Sequence, residues 1–196
     1  DLTVNAVKES TGDDYFDSYV DVVGSLDGYD LPVSKFTEYE LLDGTMQNNI
    51  TFKEKRATAD RVPLWHKENC IQCNQCAFVC PHATIRPFVL NDEQIAKLPE
   101  DEREDVLNLM GGPNTKGLKF RIQVSPMNCV GCGICFVQCP GKGGKKALEM
   151  VEAKTQYHHE KAADILYKET ESRTDLFPLN TVKGCLLYTS DAADEL

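Results

Sequence analysis

The chain has 196 residues, of which 41% are hydrophobic and 27% charged, with a formal net charge of −10 at pH 7. That length suits one domain with extensions. The acidic balance argues against a nucleic-acid partner, and no apolar run approaches the roughly 20 residues that span a membrane, so a soluble protein is expected.

Residues 1–61 are acidic and mixed, and are expected to be the end of a preceding domain plus an extended connector. The first residue is Asp1 rather than methionine, which reads as an internal piece of a longer protein. Between Asp13 and Leu26, the residues Tyr15, Phe16, Tyr19, Val20, Val22, Val23 and Leu26 recur at helical spacing. Gly24 and Gly28 weaken and then end that pattern. From Leu31 to Arg61 no period survives. Turn formers such as Asp43-Gly44 mark the stretch as a connector that would lie across another domain.

Residues 62–151 carry a repeated pattern. Val62–Trp65 and Thr84–Leu90 read as short strands flanking one cysteine-rich loop, and Phe120–Ser125 and Ala147–Val151 flank a second. Strand, loop, short helix, strand, repeated once, predicts an α+β domain with pseudo-twofold symmetry. An insertion at about 91–117 separates the halves. Between Asn91 and Leu107 it holds Asp92, Glu93, Glu100, Asp101, Glu102, Glu104 and Asp105 against Lys97 and Arg103. Ile95, Leu98, Val106, Leu107 and Met110 give it an apolar side. Two short helices are expected, broken at Pro99 and ended by Gly111-Gly112. Charge runs are usually solvated faces; a docking surface is the alternative.

Residues 152–184 read as a helical linker, with Tyr157–Glu169 at helical spacing and Ala162, Ile165 and Leu166 turned inward. His158 and His159 are adjacent and so face different directions on a helix, which suits a surface or helix-start role better than chelation of one ion. Residues 185–196 look foreign. Cys185-Leu-Leu-Tyr-Thr-Ser190 can be encoded by the mosaic end of a transposon used in sequencing libraries, and Asp191-Ala-Ala-Asp194 continues the adapter in frame. Cys185 is therefore not taken as a ligand.

The remaining eight cysteines fall into two copies of one spacing. Cys70, Cys73, Cys76 and Cys80 precede Pro81; Cys129, Cys132, Cys135 and Cys139 precede Pro140. Each copy reads C-x-x-C-x-x-C-x-x-x-C-P, the run that binds [4Fe–4S] clusters in bacterial two-cluster ferredoxins. Three cysteines two residues apart wrap three corners of a cubane, while the fourth sits about one helical turn on and points away. In the paired arrangement that fourth residue ligates the other cluster. The expected sets are Cys70, Cys73, Cys76 and Cys139 for cluster one, and Cys129, Cys132, Cys135 and Cys80 for cluster two. Pro81 and Pro140 stop the short helices. Zinc knuckles fit triple cysteines poorly, and a disulfide framework needs a secretory context that nothing here resembles.

Several neighbours invite a role. His82 beside the first loop would tune its cluster's potential or serve as a plain loop residue. Gly131 and Gly133 let backbone N–H groups approach sulfur, whereas the first loop has Gln72, Asn74 and Gln75, so the clusters should differ in potential. Trp65 reads as a packing anchor. Lys142, Lys145 and Lys146 offer either docking charge for an acidic partner or solubility.

The stretch Val62-Pro-Leu-Trp65, with Cys70-Ile-Gln-Cys73-Asn-Gln-Cys76-Ala-Phe-Val-Cys80-Pro-His-Ala-Thr-Ile-Arg86, resembles the iron–sulfur domain of the pyruvate:ferredoxin (flavodoxin) oxidoreductases. Phe120-Arg-Ile-Gln-Val-Ser125 and Lys145-Lys-Ala-Leu-Glu-Met150 resemble the family around the second motif. Upstream, Leu31-Pro-Val-Ser-Lys-Phe36, Asp43-Gly44 and Lys55-Arg56 do so too; downstream, Asn180-Thr-Val-Lys-Gly184 looks like the entry to a thiamine-diphosphate domain. The resemblance implies conversion of pyruvate and coenzyme A to acetyl-CoA and carbon dioxide, with electrons leaving through the clusters to ferredoxin or flavodoxin. It implies a cytoplasmic enzyme, homodimeric at full length, whose thiamine diphosphate, Mg2+ and third [4Fe–4S] cluster belong to domains outside this piece. By itself the piece has no catalytic residue. The alternatives are a ferredoxin-type electron-transfer subunit of another 2-oxoacid oxidoreductase or of a hydrogenase-like complex, and a non-redox role with clusters as structural pins or oxygen sensors.

Overall fold

The computed structural model describes residues 10–48, 50, 53–111, 113–170, 173, 176 and 180. The adapter-like stretch 185–196, and with it Cys185, lies outside them. So does most of 171–184. The chain divides into two compact units, Asp1–Lys55 and Arg56–Leu196.

In the first unit the apolar period between Asp13 and Leu26 forms a π-helical segment, Phe16–Val20, running into α1, Asp21–Gly24. Asp13 Oδ1 accepts the Phe16 N–H at 3.2 Å and so caps the start. The stretch expected to be extended holds a helix, α2, Val33–Glu38, after Pro32. Its aromatic residues are what the period search missed. Phe36 meets Tyr19 edge-on at 5.6 Å, and Tyr39 just past the helix meets Tyr15 at 5.1 Å. The Tyr39 hydroxyl donates to Asp14 Oδ2 at 2.6 Å. Tertiary aromatic contact, not local periodicity, holds α2.

The second unit is built from strands that pair crosswise. β1, Arg61–Trp65, precedes the first cysteine loop; α3, Gln75–Phe78, and β2, Ile85–Leu90, follow it. β4, Lys119–Val124, precedes the second loop; α5, Ile134–Gln138, and β5, Leu148–Glu152, follow it. β1 pairs antiparallel with β5, and β2 with β4. The opening strand of each half is thus bonded to the closing strand of the other. Both prolines in strands, Pro63 and Pro87, lie on edge strands, where a missing N–H breaks no central ladder. α3 and α5 end at Phe78 and Gln138, before Pro81 and Pro140.

Alternation along β2 and β4 separates two faces. Ile85, Phe120, Ile122 and Val124 pack with Leu148, Cys135 and the cysteine loops. The opposite face presents Phe88, Leu90, Arg121 and Gln123. It is covered by the insertion and by α6, Glu160–Glu169, through Leu98, Ala162 and Leu166. α6 is thus packed into the core of the unit, with Ala162, Ile165 and Leu166 turned inward as their spacing predicts. Ten residues of amphipathic helix cannot by themselves reveal which surface they cover.

The insertion is anchored as well as solvated. Asn91 caps α4, Asp92–Lys97, with a reciprocal capping box to Gln94. The second expected helix is only a 3-10 turn, Glu100–Glu102, and β3, Leu107–Asn108, adds to the β4 edge instead. Glu102 is 2% exposed and pairs with Arg121, itself 3% exposed. Arg121 also donates to the Glu102 carbonyl at 2.7 Å and to Gln123 Oε1 at 2.8 Å. His159 Nδ1, at the start of α6, lies 3.2 Å from Glu102 Oε1, within ion-pair distance but without a hydrogen bond between them. Glu160 accepts from Ser125 Oγ at 2.9 Å and from the Met127 N–H at 3.2 Å, tying α6 to the turn before Cys129. No helix among the described residues is long and apolar enough to cross a membrane.

Leu166→Ala is expected to cost about 2–5 kcal/mol, the range for emptying a well-packed site; urea denaturation under anaerobic conditions measures it, and an unchanged midpoint would return α6 to the status of a linker. Arg121→Met should cost about 3–5 kcal/mol, because it strands the Glu102 charge in the interior. Pairing it with Glu102→Leu should recover most of that loss in the same measurement.

Candidate metal centre

The two cysteine loops adopt the same backbone course with different residues. In the first, Gln72 and Asn74 take positive φ of 55° and 61°; in the second, Gly131 and Gly133 take 70° and 73°. Each turn aims a backbone N–H at the leading cysteine. Gln72 N–H reaches Cys70 Sγ at 3.4 Å and Gly131 N–H reaches Cys129 Sγ at 3.4 Å. The close approach read for Gly131 is thus made in the first loop as well, by Gln72.

What differs is how each loop sustains the left-handed residue. A Cβ on Gly131 would sit 2.9 Å from the Arg61 carbonyl oxygen, so the second loop requires glycine there. Gln72 instead offsets its backbone cost with its buried side chain. Its Nε2 donates to the Asn108 carbonyl at 2.8 Å, and its Oε1 accepts the Met110 N–H at 2.9 Å. The insertion thereby latches the first loop.

The loops, helices and crossed strands create two cavities. One is bounded by Cys70, Cys73, Cys76 and Cys139. The other is bounded by Cys80, Cys129, Cys132 and Cys135. In each, three sulfurs come from one loop and the fourth from the other half. A single tetrahedral ion needs its four sulfurs about 2.3 Å from one point. Among the described residues no three His, Cys, Asp or Glu side chains converge in that way. Four thiols gathered around one apolar-walled space are the donor set that a polynuclear iron–sulfur cluster requires.

Electrostatics in the protein alone disfavour the thiolates. Burial pushes the Cys76 thiol well above its ordinary value, and repulsion from Cys70, Cys73, Cys135 and Cys139 adds to it. Burial, then Cys129 and Cys80, pushes Cys135 up to about 12. Cys70 and Cys129 are raised by burial too, and each is partly relieved by the backbone N–H on its sulfur. Buried sulfurs held together in this way gain most from a multiply charged cationic core.

Neighbouring groups are placed as follows. His82 lines the second cavity rather than the first. The four-residue helix carries Cys80 across to the other centre and His82 travels with it, which spacing within the first loop does not reveal. Thr84, which sequence reasoning passed over, sets its Oγ1 3.5 Å from Cys80 Sγ. The Ala147 N–H reaches Cys139 Sγ at 3.3 Å. Lys146 is not a free surface charge. Its ammonium donates to the carbonyls of Phe136, Val137 and Cys139 at 2.7, 2.9 and 3.2 Å, closing the C-terminal end of α5. Lys142 and Lys145 remain exposed. Trp65 lines the first cavity and meets Phe120 edge-on at 6.5 Å.

Residues 69–143 match the family described as a 4Fe-4S dicluster domain. The chain is 48% identical over 130 residues to the pyruvate:ferredoxin oxidoreductase of Moorella thermoacetica, covering 66% of this chain and 10% of that protein. It is 39% identical over 164 residues to the pyruvate-flavodoxin oxidoreductase of Klebsiella pneumoniae, covering 83% and 13%. It is 40% identical over 155 residues to a mitochondrial pyruvate dehydrogenase [NADP(+)] of Euglena gracilis, covering 77% and 8%. The chain therefore carries a 4Fe-4S dicluster domain and is similar to one segment, about a tenth of the length, of the pyruvate:ferredoxin and pyruvate-flavodoxin oxidoreductases.

Proposed function

We propose that this chain is the electron-transfer segment of a pyruvate:ferredoxin or pyruvate-flavodoxin oxidoreductase. Its ligand sets are Cys70, Cys73, Cys76 and Cys139 for one [4Fe–4S] cluster, and Cys129, Cys132, Cys135 and Cys80 for the other. The observation that carries this reading is the pair of four-cysteine cavities, each completed by a sulfur from the opposite half.

The clusters supply one-electron chemistry at low potential. The chain's own residues fix where that happens. The leading cysteines are held by N–H donors from Gln72 and Gly131, which favour the more negative state of the sulfurs they touch. Ile122 and Leu148 line the first cavity and Ile85 the second, giving each an apolar wall. The shared α3–α5 region and the exchanged cysteines keep the centres adjacent, as hopping requires. The equivalent arrangement in each half supports the pseudo-twofold reading.

In the whole protein, pyruvate and coenzyme A would give acetyl-CoA, carbon dioxide, a proton and two electrons. Thiamine diphosphate with Mg2+ and a third [4Fe–4S] cluster would be held by other domains of a cytoplasmic homodimer. Ferredoxin or flavodoxin is the proposed acceptor. The similarity to proteins named pyruvate dehydrogenase [NADP(+)] favours a second reading of the exit alone, with electrons passing on to NADP+. The 62–151 segment would be the cluster domain, 1–61 its approach and 152–184 the run towards the thiamine region.

Anaerobic reconstitution should load about eight irons per chain, and the reduced chain should be reoxidised by ferredoxin or flavodoxin. Cys139→Ala should perturb the magnetic signature of one centre and Cys80→Ala that of the other; both variants altering the same centre would contradict the exchanged ligands. Lys142→Gln with Lys145→Gln should slow acceptor reduction most at low salt, where charge steering is strongest. Unchanged rates would remove these lysines from docking. Lys146 is left intact in that experiment because it closes α5.

A further inference from the structure

Trp65, the chain's one tryptophan, ends β1 ahead of Cys70. Its indole Nε1 is buried and closes no hydrogen bond of ordinary geometry with the protein. A buried donor without a partner is costly, on the order of 1–3 kcal/mol, and calls for an acceptor. The ring lines the first cavity together with Cys70, Cys73, Cys76 and Cys139.

The other half supplies an internal comparison. Val124 precedes Cys129 at the same spacing as Trp65 precedes Cys70. Trp65 is in register with Leu148 in one sheet, and Val124 with Ile85 in the other. The His66 N–H bonds the Ala147 carbonyl at 2.8 Å just as the Ser125 N–H bonds the Thr84 carbonyl at 2.8 Å. Two equivalent backbone positions thus carry an N–H donor at one centre and an aliphatic side chain at the other. The second centre has its hydroxyl from Thr84, where the first has Ala147.

We propose that the Trp65 indole N–H is a hydrogen-bond donor to the sulfur of the first centre, Cys70 Sγ or a cluster sulfide beside it, and holds that centre's reduction potential up. Hydrogen bonds to cluster sulfur stabilise the reduced, more negative state. Trp65 is then a potential-setting residue and not only packing against Phe120. This inference rests on the ligand sets proposed above.

The test uses the reconstituted chain. Because tryptophan occurs once, biosynthetic labelling with 15N-indole marks one ring nitrogen. Pulsed EPR of the reduced protein should show that nitrogen coupled to one paramagnetic centre, and Trp65→Phe should lower one of two midpoint potentials while leaving the other in place. Benzothienylalanine in place of the tryptophan keeps the ring outline and deletes the N–H, and should give the same shift if the Phe variant binds less iron. Full iron content with neither the coupling nor a shift overturns the proposal. A wild-type chain that takes up far fewer than about eight irons overturns the ligand reading instead.

Discussion

Each four-cysteine cavity in this chain is completed by a sulfur from the opposite half, and the rest of the second unit follows from that exchange. Cys139 reaches the first cavity and Cys80 the second. The sheets repeat the exchange in backbone hydrogen bonds, since β1 bonds β5 and β2 bonds β4. Neither half can bury its inner face or gather four thiols without the other. Burial, and after it repulsion between neighbouring sulfurs, raises the thiols of Cys76 and Cys135 and leaves the protein alone short of compensating charge. Cluster loading and folding are for that reason expected to be coupled.

A second layer makes the exchange rigid. Sheet residues facing away from the cavities would otherwise expose Phe88, Leu90 and the buried Arg121. The insertion and α6 cover them, and Glu102 enters the interior only because Arg121 meets it there. Two side chains carry that layer's order into the sites. Gln72 ties the first loop to the insertion, and Glu160 ties α6 to the turn that leads into Cys129. An acidic surface segment and a C-terminal helix thereby become part of what holds the cysteines in place.

The cysteine spacing and the four flanking strands were legible in the sequence because both depend on short-range rules: ligand reach within a loop, and alternation along a strand. What escaped depends on contacts far apart in the chain. α2 needs Tyr15 and Tyr19 as partners, and its own six residues carry no clear period. The fate of Glu102, one of seven acidic residues in the insertion, is decided by Arg121 on a strand that comes later. Lys146 looked like one of three equivalent lysines until its ammonium was placed on the end of α5. Gln72 shows the limit of residue-type rules, since its amide does for the first loop what the absence of a side chain does for the second.

The most direct measurement is iron-edge anomalous diffraction from crystals of the anaerobically reconstituted chain. The account predicts two compact four-iron densities, one bonded to the sulfur of Cys139 beside the first loop and one to that of Cys80 beside the second. Single-ion density in either cavity, or a centre closed by the fourth cysteine of its own loop, would contradict it.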